Sequence, residues 1–409
     1  MARHSPATLR FLYHAAMQEL FDVAIVGGGL VGMSLAAALD GHGRRVLLLD
    51  ASVHDPLQPA AWDERHFALA RASVERLSEL DAFPQAAAGH PIRQIHISRA
   101  GEFGRVLLDA RGHGVDAFGL TVPARLLVGA LEQRLARARD IHRLRPAELL
   151  DFVAADDAVE IRWQQAGVPA AARARLLVAA DGSASSIRAR LGIAVERCDY
   201  QQTAVVCAAT TSEAHQGRAF ERFTDSGPLA VLPLGDQRCG VVCTVPATQA
   251  EATLALDDGG FIALLQQRFG YRLGRFTRVG RRQAWPLALA VAERVGDRRV
   301  ALIGNAAQTI HPIGAQGFNL GLRDASALAD SVLAATDPGA EASLDAYAAS
   351  RRADRAQTIA MSDGLVRLTR GVSLPHQVLR GLAMLAADRL PGLQGQLARA
   401  GMGYRSLAL

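Results

Sequence analysis

The chain has 409 residues, half of them hydrophobic and 21% charged, an ordinary globular composition with length for two domains and a large core. Its net charge is +5 and it contains no lysine; the arginines are spread along the chain, which argues against a nucleic-acid partner, and the missing lysine excludes Schiff-base and phosphate-loop lysine chemistry. No apolar run reaches the roughly 18 residues that a membrane-spanning helix needs.

Residues 1–20 resemble no secretory signal, because the apolar stretch from Phe11 to Met17 is short and interrupted by His14. Met17 is expected to be the true start, with 1–20 a disordered extension. Phe21 to Val26 has the short, branched, apolar character of a buried strand. Gly27, Gly29 and Gly32 follow as GxGxxG, then a small-residue helix from Leu30 to Leu39 and a second strand from Arg45 to Leu49, ending at Asp50. This is one βαβ unit. Gly27 permits the turn, Gly29 lets a pyrophosphate approach the helix N-terminus, Gly32 allows close packing, and Asp50 suits a ribose hydroxyl.

Further along, 123–137 reads as an amphipathic helix, and 158–163 and 174–179 read as strands. AADGSASSIR (179–188) holds Asp181, Gly182, Ser185 and Arg188 behind a strand. Residues 200–245 alternate, with turns at Ser226-Gly227-Pro228 and Gly235-Asp236, as in an antiparallel sheet. The four cysteines (Cys198, Cys207, Cys239 and Cys243) form no CxxC pair and have no histidine at zinc-finger spacing. They read as reduced thiols in a reducing, cytoplasmic compartment, with no metal site. Residues 260–270 look helical. Val300 to Ile303 reads as a strand, entering a Gly/Pro-rich loop with Gly304, Asn305, His311, Pro312, Gly317 and Asn319, and then a helix from about Leu320. Beyond Asp345 the chain reads as helices broken near Pro375. There is no second GxGxxG, so no separate nicotinamide domain is expected.

GxGxxG at 27–32, the DG motif at 181–182 and the GD-type motif at 304–305, in that order, resemble the class A flavoprotein monooxygenases of the para-hydroxybenzoate hydroxylase fold. The stretches 214–233, 281–289 and 304–324 are most similar to the ubiquinone-biosynthesis hydroxylases, and within them to the branch acting on 2-polyprenyl-6-methoxyphenol. The resemblance implies an α/β fold: a discontinuous Rossmann-type FAD-binding domain (21–75, 100–190 and 285–345), an inserted antiparallel-sheet substrate domain (76–99 and 191–284) and a C-terminal helical region (346–409). It implies FAD as cofactor, NAD(P)H as co-substrate, and hydroxylation of a prenylated phenol by O₂.

By the same resemblance, the first motif and Asp50 hold the AMP half of FAD, Arg125 reaches its phosphates, and Asp63 and Arg65 run beside the flavin. Asp181 belongs to a motif tied to FAD and NAD(P)H. Asn305, Pro312, Gly317 and Asn319 lie on the loop that closes on the flavin. His311 is the candidate for proton handling, against the plainer reading that it braces the loop. Phe220, Phe223, Leu232 and Pro233 read equally as ring pocket or sheet core. Arg218, Glu221 and Arg222 read as surface or inter-strand pairs. Two departures stand out: Asn305 in place of the usual Asp, and Gly314-Ala315 in the reverse of the expected order. The C-terminal arginines Arg367, Arg370, Arg380 and Arg389 suit peripheral contact with anionic lipid at the inner membrane surface, or simply helices covering the FAD domain. Other ubiquinone-biosynthesis enzymes are possible partners. The alternatives are a prenyl-chain reductase of the same fold, a non-catalytic FAD-stabilised subunit and, weakest, an ordinary dehydrogenase.

Overall fold

The computed structural model describes residues 19–52, 65–84, 89–235, 237–370 and 374–404. Met17, Asp63 and the turn residue Asp236 lie outside them. The strand Leu20–Val26 pairs in parallel with Val46–Leu49 on one side and Val168–Ala179 on the other. The sheet runs in the order Gly296–Asp297, Val300–Leu302, Val168–Ala179, Leu20–Val26, Val46–Leu49, Ile141–Leu144. Its central strands are buried on both faces, which is why they read as unbroken apolar runs. Helix Leu30–Leu39 is buried from Gly32 to Leu39; its run of small side chains lets it sit inside the molecule.

The second sheet runs in the order Gln308–Thr309, Gln283–Ala292, Val195–Thr211, Arg238–Pro246, Gly227–Pro233, Arg218–Thr224, Gln94–Arg99, Arg105–Asp109. It is antiparallel except where Arg218–Thr224 runs parallel to Gln94–Arg99. One face is sealed by helix Asp258–Phe269, whose Phe261, Leu265 and Phe269 are wholly buried against it. Strand Arg105–Asp109 and the bulk of Gln283–Ala292 belong to the second sheet, although the sequence division places them with the first.

The C-terminal helices also differ in what they cover. Helix Glu341–Arg370 packs on Gln316–Ala334. Helix Leu374–Arg389 lies on the edge strand Arg105–Asp109, where Asp388 Oδ1 accepts from the Leu107 N–H at 2.8 Å and Arg380 pairs with Glu102. Ala398 and Met402 join Val106, Leu108 and Phe118 in a separate apolar cluster. These last two helices shield a sheet edge that would otherwise present unpaired backbone groups. The first sheet is not what they cover.

The three glycine-bearing segments meet at one place. Gly27 has φ +116, and a Cβ there would run into the Ala180 carbonyl, one residue before Asp181. A Cβ on Gly32 would strike the Gly27 carbonyl oxygen. The Val31 side chain lies over Gly304 and Gly321: a Cβ on Gly321 would stand 2.8 Å from Val31 Cγ2, and one on Gly304 would stand 3.2 Å from both Val31 methyls. Arg188, buried, donates to Ser183 O at 2.8 Å and Ala306 O at 2.7 Å, tying the middle segment to the late one.

Gly321→Ala is expected to lower stability by about 1–3 kcal/mol through overpacking, despite alanine's better helix propensity. Val31→Ala should recover much of that loss in the double variant. Thermal unfolding of the four proteins checks this; equal penalties in both backgrounds would show that Val31 is not the obstruction.

Candidate active site

Asp50 sits at the end of its strand, 6% exposed. Its Oδ1 accepts from Ser52 N at 3.0 Å and Ser52 Oγ at 2.7 Å. Its Oδ2 is buried without an aligned hydrogen bond, although Arg145 Nε lies 3.2 Å away as an ion-pair partner. A Cβ on Gly28 would collide with this carboxylate, so the acid is pressed against the glycine turn. Next to it, Gly29 is extended (φ −74, ψ 178) and a Cβ there would meet nothing within 4 Å. The first turn of Leu30–Leu39 presents its unpaired N–H groups and positive dipole end beside that open space.

Asp181 Oδ2 accepts from Ser186 N at 2.9 Å, which leaves Oδ1 buried with no hydrogen-bond partner. Arg125 is exposed at the start of helix Ala124–Ala136. The Arg65 guanidinium lies over the Trp285 ring, 5.0 Å from its centroid.

The late loop is held from beneath by a buried charge network that sequence reading did not pick out. Asp324, 1% exposed, accepts from Gly304 N at 3.2 Å and Gln308 Nε2 at 2.6 Å on one oxygen, and from Arg351 Nε at 2.8 Å on the other. Burial raises its pKa, while Arg351 and these donors act to lower it. Arg351 and Arg323 both reach Asp354 at 2.7 Å. Asn319 spends both amide hydrogens on Ala68 O and Ala315 O, at 3.0 and 2.7 Å, and accepts from Ala70 N at 2.9 Å. It thus fastens the helix start to strand His66–Ala70.

His311 is fully buried, accepts from Ile313 N at 3.2 Å through Nδ1, and meets the Tyr200 ring edge-on. Its carbonyl accepts from Ser362 Oγ at 3.1 Å. These contacts favour the bracing role. Pro312 opens the turn Ile313–Ala315, and Asn305 is exposed. The reversed Gly314-Ala315 pair has a visible consequence. Both residues are left-handed, with φ +68 and +53. Glycine takes that conformation freely, whereas alanine does so at a cost of roughly 1–2 kcal/mol. Gln316 Oε1 is buried with no hydrogen-bond partner, and a Cβ on Gly317 would meet nothing within 4 Å.

The four candidate pocket residues divide between the two faces of the second sheet. Phe220 packs edge-on to Phe269 in the sealed core, and Pro233 shares its face, opposite buried Cys239. Phe220 is therefore core. Phe223 packs with Ile313, Tyr200, Leu287 and Leu289 on the other side. Leu232 shares that side and pairs with Gly240, whose Cα faces His66. Arg218 and Arg222 make the expected neighbouring contacts, to Gln94 Oε1 at 2.7 Å and to Arg268 O at 3.0 Å. Glu221 does not: it shares its face with Phe223, toward the late loop, whose Gly314 backbone acts on its carboxyl. The alternation in Phe220-Glu221-Arg222-Phe223 was the available signal, since Glu221 is in phase with Phe223.

The carboxylate of Asp50 beside the glycine turn, bare helix starts at Gly29 and Gly317, and unpaired oxygens on Asp181 and Gln316 suit an extended dinucleotide with hydroxyls and phosphates. A sequence profile described as an FAD binding domain matches residues 20–362. The chain belongs to this FAD-binding family. It is 36% identical over 394 residues to the ubiquinone hydroxylase UbiL of Rhodospirillum rubrum, covering 95% of this chain and 91% of the relative. It is 31% identical over 392 residues to the 3-demethoxyubiquinol 3-hydroxylase of Escherichia coli, covering 93% and 98%. Among solved structures, the p-nitrophenol 4-monooxygenase PnpA of Pseudomonas putida superposes with a TM-score of 0.75 at 19% identity, covering 95% of this chain and all of that one; this likeness speaks to the fold. The protein is an FAD-dependent monooxygenase.

Proposed function

We propose that the protein hydroxylates the aromatic ring of a polyprenyl phenol in ubiquinone biosynthesis, using O₂ and NAD(P)H. The observation that carries this reading is the meeting of the three motif segments at Val31 and Arg188, beside a second sheet whose loop-facing side is apolar. FAD, when bound and reduced, supplies the activated oxygen for attack on an electron-rich ring. Asp50 would accept from its ribose, the helix starts at Gly29 and Gly317 would face its anionic and polar groups, and Gln316 Oε1 would offer a further acceptor. The chain's other task is to exclude water and hold the phenol ring against the flavin.

The substrate favoured by the stretches 214–233 and 281–289 is 2-polyprenyl-6-methoxyphenol. A second substrate, 3-demethoxyubiquinol, is supported by the name of the Escherichia coli relative and its near-complete overlap. With purified yellow protein, NAD(P)H and labelled dioxygen, one labelled oxygen atom is expected in the product of one of these two. NAD(P)H consumption that reduces the prenyl chain and leaves label out would favour the reductase instead.

No described helix is long and apolar enough to cross a membrane. Helices Leu374–Arg389 and Pro391–Gly401, with Leu390 between them, nevertheless expose Val378, Leu379, Leu382, Leu385, Leu390 and Leu393. Arg389 and Arg399 are exposed beside them, and Asp388 is the single acid of the two helices. This ridge is read as a docking face for an anionic lipid surface, close to where a prenylated substrate resides. Flotation with phosphatidylglycerol vesicles should carry the protein up, and the double variant Leu379→Glu, Leu382→Glu should stay behind. No flotation of the unaltered protein would refute it.

A further inference from the structure

The two faces of the second sheet differ in how they are filled. On the helix side, Leu229, Val231, Val241 and Cys243 are wholly buried. On the loop side, one row runs in register across five strands: Ile97, Glu221, Ala230, Val242 and Val206. Every member of this row keeps part of its surface accessible, although the row crosses the middle of the sheet. Ile97, Val242 and Val206 border the same cluster as Ile313 of the late loop. Protein interiors close such gaps unless something is meant to occupy them. The row is thus a partly accessible apolar strip on the side of the sheet where Ile313 of the late loop packs, and Glu221 is its single ionisable member.

We propose that Glu221 accepts the proton of the substrate's phenolic hydroxyl, with the ring lying on the apolar remainder of the row; this rests on the ring-hydroxylation reading above. The phenol O–H bond breaks, its proton passes to a Glu221 carboxylate oxygen, and the electron pair stays on the phenolate oxygen. The ring becomes more electron-rich for attack by the activated oxygen, and the proton then leaves to solvent. The Gly314 backbone acts on this carboxyl from the late loop, whose Gly314-Ala315 turn is left-handed.

The electrostatics suit the task. Burial pushes the Glu221 carboxyl up to about 7, opposed by the nearby Gly314 backbone. On this side of the sheet the other titratable or charged groups named by the register are Arg99, ion-paired with Glu102 and Asp225, His66 beside Gly240, and the His311–Tyr200 pair, whose Tyr200 hydroxyl donates to Asp363; none is among the causes of the shift of Glu221. A base poised near the working pH is the efficient one for proton transfer. Because the pKa is raised, the accepting carboxylate forms as pH climbs through about 7, so hydroxylation should rise across that window.

The test is Glu221→Gln in the FAD-loaded enzyme, with 2-geranyl-6-methoxyphenol and NAD(P)H, following hydroxylated product from pH 5.5 to 9. The expected result is flavin content like that of the unaltered enzyme, product formation slower by about a hundredfold or more, and loss of the rise near pH 7. Retention of both the rate and the rise would overturn the proposal while leaving ring hydroxylation standing. An unaltered enzyme that hydroxylates neither this phenol nor a demethoxyubiquinol analogue would sink both. Should the Gln variant fail to hold flavin, Glu221→Asp decides: an unmoved pH rise overturns the assignment, and a displaced one supports it.

Discussion

The architecture depends on one close approach, in which the Val31 side chain rests on two bare backbones, Gly304 and Gly321. Those glycines lie far beyond Val31 in sequence, on the other side of the inserted sheet. Any side chain at Gly321 would lift helix Gln316–Ala334 away from helix Leu30–Leu39, and with it the loop that precedes it. Packing at interior density transmits such shifts, because little free volume is available to absorb them. Gly27 against Ala180 and Arg188 on Ala306 O close the remaining sides of the same junction.

The loop above this junction is strained at Ala315 and yet defined. The reason lies beneath it, in Asp324, Arg351, Asp354 and Arg323. A buried ion pair of this kind contributes little net stability, since desolvation offsets much of the attraction, but removing one partner costs about 3–5 kcal/mol. Its value here is geometric. Asp324 holds the Gly304 N–H and Gln308, Arg355 binds Gln308 Oε1 at 2.7 Å, and Asn319 bonds Ala315 O. The left-handed residues at 314 and 315 are thus held by contacts on both flanks, and Gly314 is presented to Glu221.

The local pattern of the sequence is a good guide wherever structure is local. Strand Leu20–Val26, helix Leu30–Leu39 and strand Val46–Leu49 follow from apolar runs and glycine punctuation, because each segment's environment is nearly uniform. The glycines were legible because their spacing reflects backbone contact. Sheet membership was less so: Arg105–Asp109 and Gln283–Ala292 join the second sheet through pairings with remote strands, which no window of sequence reveals. Phe220 and Phe223 look alike in composition, yet opposite parity puts one in sealed core and the other under the loop. Glu221, between an aromatic and an arginine, has the look of a surface acid; its phase with Phe223 shows that the two share a face, and register shows which face that is. Asp324 and Arg351, distant in sequence, reveal themselves as partners only once the two long helices pack.

The central claim is that two helix starts, at Gly29 and Gly317, serve a single FAD. A Cβ at either glycine would meet nothing within 4 Å, and an acidic residue in a helix's first turn is compatible with its dipole. Gly29→Asp and Gly317→Asp should therefore both fold while placing a carboxylate in the dinucleotide's path. Flavin content and FAD titration of the two variants test this most directly. The account predicts that each single substitution strips or sharply weakens the one bound FAD, with the fold intact by circular dichroism. Full retention of FAD in the Gly317→Asp protein would contradict it.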